Sequence, residues 1–179
     1  MKFQVAAPTL KSIDGLQHEL LLLAHFADER PPRGVGGLVD WRLNGLFSQM
    51  VLSGRLTGQW GEQLLYPQKK RLAVPQLIYF GLGDRQEYGK ERFQAVTRRM
   101  FQTIVGLGCR SFATVLPGRD GIKLFPGQLI EIWLHEFGKM LDKTGTCVSQ
   151  YDVLLLEPPA IQAEINEPLA LFSRTFPAR

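Results

Sequence analysis

Three short stretches of this chain are apolar almost without interruption: LLLLAHF from Leu20, LIYFGLG from Leu77 and VLLL from Val153. Runs of this length and composition suit strands covered on both faces, because a strand with one wet face alternates polar and apolar residues. Such strands require helices above and below them. KFQVAA, GQWGEQLLYP and SFATVL add three further strands of weaker signal.

The intervening segments carry the required helices. Val39, Leu43, Leu46, Phe47, Met50 and Val51 fall on one helical face, which predicts a single helix from Val39 to a stop at Gly54. Asp40 then lies in its first turn, where a carboxylate suits the helix dipole, and Trp41 and Arg42 begin a helix packed on the sheet. Phe93, Val96, Met100 and Ile104 mark a second helix, with Arg92, Arg98 and Arg99 turned away from that face. Leu129, Trp133, Phe137 and Met140 mark a third. A final helical pattern, AIQAEINEPLALFSRTF, contains Pro168, which is expected to kink or break it. Strands and helices alternating in this way predict an α/β domain with a mainly parallel sheet and helices on both faces.

With 179 residues, 45% of them hydrophobic, one domain over 1–179 is expected to bury its own core without metals or disulfides. The longest apolar run is far too short to cross a membrane, and no secretory leader is read at the start. Cys109 and Cys147 are widely separated and flanked by apolar residues, as expected for thiols in the core of a cytoplasmic protein.

Catalytic patterns fail one by one. In WLHEF, the H-E-x-x-H metal motif requires a second histidine where Lys139 stands, so His135 and Glu136 are assigned to the polar side of a surface helix. His18 and His25 flank an apolar strand outside any tight ligand spacing and are read as edge or core histidines, so no metal site is expected. VLSGR and GCRSF complete no nucleophile pattern, and VLPGRDGIKLFPG is not a nucleotide triphosphate loop. No catalytic residue and no cofactor is therefore assigned.

Two binding readings survive. FGLGDRQEYG ends a buried strand and enters a helix, where glycines let backbone amides approach an anion, although a simple turn explains the same glycines. Asp28, Gly34, Gly36, Gly81, Gly83 and Asp84 are the candidate ligand-binding residues on this reading. The second reading uses Arg30, Arg33 and Arg42 with Lys69, Lys70 and Arg71 for weak, nonspecific contact with nucleic-acid phosphates. The net charge of +4 permits that contact without demanding it.

DERPPRGVGGLVDWRLNGLFSQMVLSGRLTGQWGEQLLYP, followed by LIYFGLGD, resembles the amino-terminal domain of the leucyl aminopeptidases. The acidic-Arg-Pro-Pro turn, the D-W-R-L segment, the S-G-x-x-x-G-x-x-G-E spacing and the strand ending in G-L-G occur in the family's order. The strong part spans about Phe26 to Asp84. The resemblance implies a macro-domain-like, three-layer α/β/α fold. It also implies that peptidase chemistry belongs to a separate dimetal domain whose N-T-D-A-E-G-R motif is not in this sequence. The expected role is a non-catalytic interaction or regulatory domain that self-associates or binds a protein partner. Macro domains that bind ADP-ribose supply the alternative, a nucleotide-type ligand, although their N-A-A-N-like segment is not found here.

Overall fold

A computed structural model describes residues 2–68 and 71–175. Lys69 and Lys70, named above as phosphate contacts, lie outside the described residues. Six strands form one sheet: β1 (Lys2–Ala6), β2 (Leu20–His25), β3 (Gln63–Pro67), β4 (Gln76–Gly81), β5 (Ser111–Thr114) and β6 (Asp152–Leu156). Their spatial order is β1-β6-β5-β2-β4-β3, parallel throughout except where β3 runs antiparallel along β4. Six helices flank them: α1 (Leu10–Asp14), α2 (Gly34–Arg42), α3 (Leu46–Leu52), α4 (Lys90–Gly106), α5 (Pro126–Thr144) and α6 (Pro159–Thr175). The expected three-layer, mixed, mainly parallel α/β/α architecture is the one observed.

The apolar strands divide their side chains between two cores by simple alternation. Leu20 and Leu22 of β2 face α4, α5 and α6, where Phe93, Phe101, Trp133 and Phe137 are buried. Leu21 and Leu23 face the opposite layer, against Val35, Val39 and Phe47 of α2 and α3. Trp133 stacks on Phe137 with ring centroids 5.5 Å apart, and Phe101 meets Trp133 edge-on at 4.9 Å. The four apolar positions named for each of the second and third helices are all buried in α4 and α5.

Several local expectations are corrected. The single helix predicted from Val39 is two helices, because Asn44 and Gly45 adopt positive φ values of 57° and 73° and stop the first. Asp40 lies in the last turn of α2, not the first turn of a helix. Its carboxylate accepts from the Phe47 N–H at 2.7 Å and the Ser48 N–H at 3.1 Å, and so caps α3. Trp41 and Arg42, expected to begin a helix, are the last two residues of α2, and Trp41 is 63% exposed.

Pro168 sits inside α6 without ending it. Proline removes one hydrogen bond and crowds one carbonyl, but burial of Ile165 and Leu169 on either side holds this helix against the sheet layer. Glu136 is buried rather than surface-facing. Its carboxylate accepts from Arg98 Nε at 2.9 Å, Gln94 Nε2 at 2.7 Å and Lys139 Nζ at 3.2 Å. Burial raises the Glu136 carboxyl, but these three donors outweigh it and hold the pKa at about 2.

Candidate functional site

Parallel sheets collect their loops at the carboxyl ends of the strands, and a crevice there is the usual ligand position in such folds. In this protein a cleft of about 490 Å3 opens at that edge. Leu23 and Ala24 of β2, Leu156 of β6 and Leu116 after β5 supply apolar walls, with Leu82 after β4. The polar lining comes from three loops, bearing Glu29 and Arg33, Arg85, and Arg119 with Asp120, and from Glu157 directly after β6.

The first loop leads into α2. Glu29 Oε1 accepts the Arg33 N–H at 2.8 Å, and Glu29 Oε2 accepts from Arg85 Nη2 at 3.1 Å. The Arg85 guanidinium also lies 4.2 Å above the centre of the Phe26 ring. Burial raises the Glu29 carboxyl, while His25, the Arg33 amide and Arg85 more than offset it, so its pKa falls below the ordinary value. The buried His25 ring stands 3.8 Å from Glu29 through Nδ1.

The start of α2 faces the cleft through Gly34, Val35 and Gly36. A helix leaves its leading amides without intrahelical acceptors. Here the first backbone bond of that turn runs from Gly37 N–H to Arg33 C=O, and Arg33 provides no side-chain cap. The Arg33 guanidinium is exposed and makes no ion pair among the described residues. A partial positive charge and one uncommitted cation therefore meet at one end of the cleft.

Glu157 forms the other end. It is 2% exposed, and its two carboxylate oxygens accept from the Leu116 N–H at 2.6 Å and from Arg119 Nε at 3.0 Å. Arg119 also pairs with Asp120 at 2.8 Å. Burial dominates at Glu157 and pushes its pKa up to about 7, against the pull of Leu116 and Arg119. A carboxyl that gains or loses its proton near neutrality can both accept and donate a hydrogen bond to a ligand hydroxyl.

Of the residues singled out from the sequence, Gly34 and Gly36 from the ligand-binding set and Arg33 from the phosphate contacts line this cleft. Asp28, Gly81, Gly83 and Asp84 are not among its lining residues. Asp28 and Asp84 are exposed, whereas Gly81 and Gly83 are buried against the loop 57–62. A Cβ on Gly81 would lie 2.0 Å from the Gln59 carbonyl oxygen. The Gly81 and Gly83 amides donate to Glu62 O and Gly58 O, both at 2.8 Å. Glu62 closes the same loop by accepting from Thr57 N–H and Gly58 N–H at 2.9 and 2.6 Å. The S-G-x-x-x-G-x-x-G-E spacing thus builds a loop that seats on the end of β4.

Glu29, Arg85, Arg119 and Glu157 were not picked out from the sequence. The one usable signal was Glu157, a carboxylate placed at the end of a continuous apolar strand. Among the described residues, no three His, Cys, Asp or Glu side chains are grouped to hold a metal ion. No helix among them is long and apolar enough to cross a membrane.

Residues 23–124 match the model of the N-terminal domain of the cytosol aminopeptidase family. No curated protein shows significant similarity to the sequence. Among solved structures, a tomato leucine aminopeptidase mutant is similar with a TM-score of 0.53 and 13% identity, over 97% of this chain. This chain spans only 36% of that enzyme's length. The Trypanosoma brucei macrodomain in complex with ADP-ribose has a TM-score of 0.69 at 16% identity, covering 93% of this chain and 68% of that one. The macrodomain of Mycobacterium tuberculosis DarG has a TM-score of 0.60 at 13% identity, covering 88% and 98% respectively.

Proposed function

Because the chain belongs to the cytosol aminopeptidase family through its N-terminal domain, we propose that it works as a binding module and not as a peptidase, with a nucleotide-type ligand held in the strand-end cleft. The supporting observation is the pairing of unlike chemistry across that cleft. The free amides of α2 and Arg33 suit a phosphate at one end, and the Glu157 carboxyl suits a sugar hydroxyl at the other. The volume of about 490 Å3 falls within the usual range for small-ligand sites. The macrodomain structure solved with ADP-ribose supports the same class of ligand on the same fold. Of the six glycines and aspartates considered from the sequence, Gly34 and Gly36 are the two that this reading uses.

A thermal-shift series with ADP-ribose, ADP and inorganic phosphate tests the proposal. At about 100 times Kd a ligand adds about 2.7 kcal/mol of stability, which in a domain of this size raises Tm by roughly 5–10 °C. The Arg33→Ala variant is expected to lose most of that shift while keeping its unliganded Tm, since Arg33 is exposed and unpaired. An unchanged Tm with both nucleotides up to millimolar concentration refutes the ligand class. Chelator-sensitive aminopeptidase turnover by this chain refutes the non-peptidase role.

A further inference from the structure

Away from the strand ends, α5 and α6 enclose a groove of about 780 Å3 that shares no lining residue with the cleft. Its apolar lining includes Leu134 and Pro168, with Leu171 standing 64% exposed on the α6 side. Four exposed carboxylates border it: Glu131 and Asp142 on α5, Glu164 and Glu167 on α6. None of the four makes an ion pair among the described residues. Lys139, the one lysine in the lining, is engaged with the buried Glu136 at 3.2 Å.

This charge pattern runs against the rest of the chain, which carries a formal net charge of +4. Exposed carboxylates without partners, gathered on both walls of an apolar groove, repel one another and are relieved by an incoming cation. The two walls are helices, so the groove offers a straight seat of the kind that accepts a third helix by its apolar ridge. Glu131 and Asp142 are eleven positions apart along α5, a span of about 16 Å at the helical rise. A docked helix with basic residues three turns apart would meet both.

We propose that the α5–α6 groove docks an amphipathic helix of a partner protein, with an apolar ridge flanked by lysines or arginines. The interaction is independent of any ligand in the strand-end cleft. The same apolar floor without the carboxylates would accept any exposed hydrophobe. With them, the site selects for basic flanks and rejects acidic ones.

The test uses the full chain and two synthetic labelled 18-residue helical peptides, one of leucine and lysine and one of leucine and glutamate, followed by fluorescence anisotropy. The leucine–lysine peptide should bind, with affinity falling as salt is added, and the leucine–glutamate peptide should not. The combined Glu131→Gln, Asp142→Asn, Glu164→Gln and Glu167→Gln variant should weaken binding about tenfold, the sum of four modest exposed pairs. Leu171→Ser should also weaken it, and because Leu171 is largely exposed that variant is expected to fold. Equal binding of the two peptides, or wild-type affinity in the four-site variant, overturns the proposal. Sedimentation showing a dimer that Leu171→Ser abolishes overturns it in favour of a second copy as the occupant.

Discussion

Replacing Glu157 with glutamine isolates the energetic cost of keeping a charge at the floor of the cleft. In the folded chain this carboxyl has a pKa of about 7, against 4.5 for an ordinary glutamate. Between those values the folded state holds a proton that the unfolded state has released, so stability falls as pH rises through this window and the loss is complete above about pH 7. The difference corresponds to about 3 kcal/mol at 1.36 kcal/mol per pH unit. Glutamine cannot ionise, and its carbonyl oxygen can still accept the Leu116 N–H. Unfolding of both proteins followed at about pH 4 and about pH 8 should therefore show the variant gaining about 3 kcal/mol over the wild type across that interval. In Tm this is roughly 6–12 °C for a chain of this size. His18 acts in the opposite direction, since burial lowers its pKa and stability rises with pH through its titration. That contribution is common to both proteins and cancels in the difference. Parallel pH profiles for wild type and Glu157→Gln would refute the reasoning, because they would mean that the Glu157 charge is stabilised as well in the fold as in water.

Two other substitutions test the seating of the 57–62 loop on β4 and the cap of α3. Gly81→Ala places a methyl group 2.0 Å from the Gln59 carbonyl oxygen, and overpacking of this severity against backbone should cost about 3 kcal/mol or more, read as a fall in Tm. Asp40→Ala removes the acceptor for the Phe47 and Ser48 amides and should destabilise by about 2 kcal/mol in urea, while Asp40→Asn recovers part of the loss by capping through its carbonyl oxygen.

The layered fold was legible because each strand and helix states its own burial locally. Leu20 to Leu23 form the short unbroken apolar run that suits a strand covered on both faces, and Phe93, Val96, Met100 and Ile104 carry the spacing of one side of a helix. The break at Asn44 and Gly45 was hidden because the apolar spacing of α2 continues in phase into α3. The site was less legible for a related reason. Glu157 meets its amide donor Leu116 from 41 positions away, and no pattern within one element records that meeting. Gly81 and Gly83 were read either as a simple turn or as a place where an anion meets the backbone, and a neighbouring group does approach the backbone closely there. The approaching group is the loop ending in Glu62, however, and a sequence does not distinguish a neighbouring loop from a ligand. Glu136 was misread because its helical position marks it as polar, while the Arg98 that neutralises it lies on another helix.

The position of β1 at the far edge of the sheet also sets an order of events for folding. Among the described residues its one strand partner is β6, with Lys2 opposite Asp152. On a growing chain β1 waits through 150 residues of synthesis before it can hydrogen-bond to β6, the widest separation between paired strands in this sheet. Sequence separations of this size slow folding, because the chain between must be ordered before the contact can form. A nascent chain stopped before Asp152 carries β1 without its partner strand, and β5 then presents an open edge where β6 should lie.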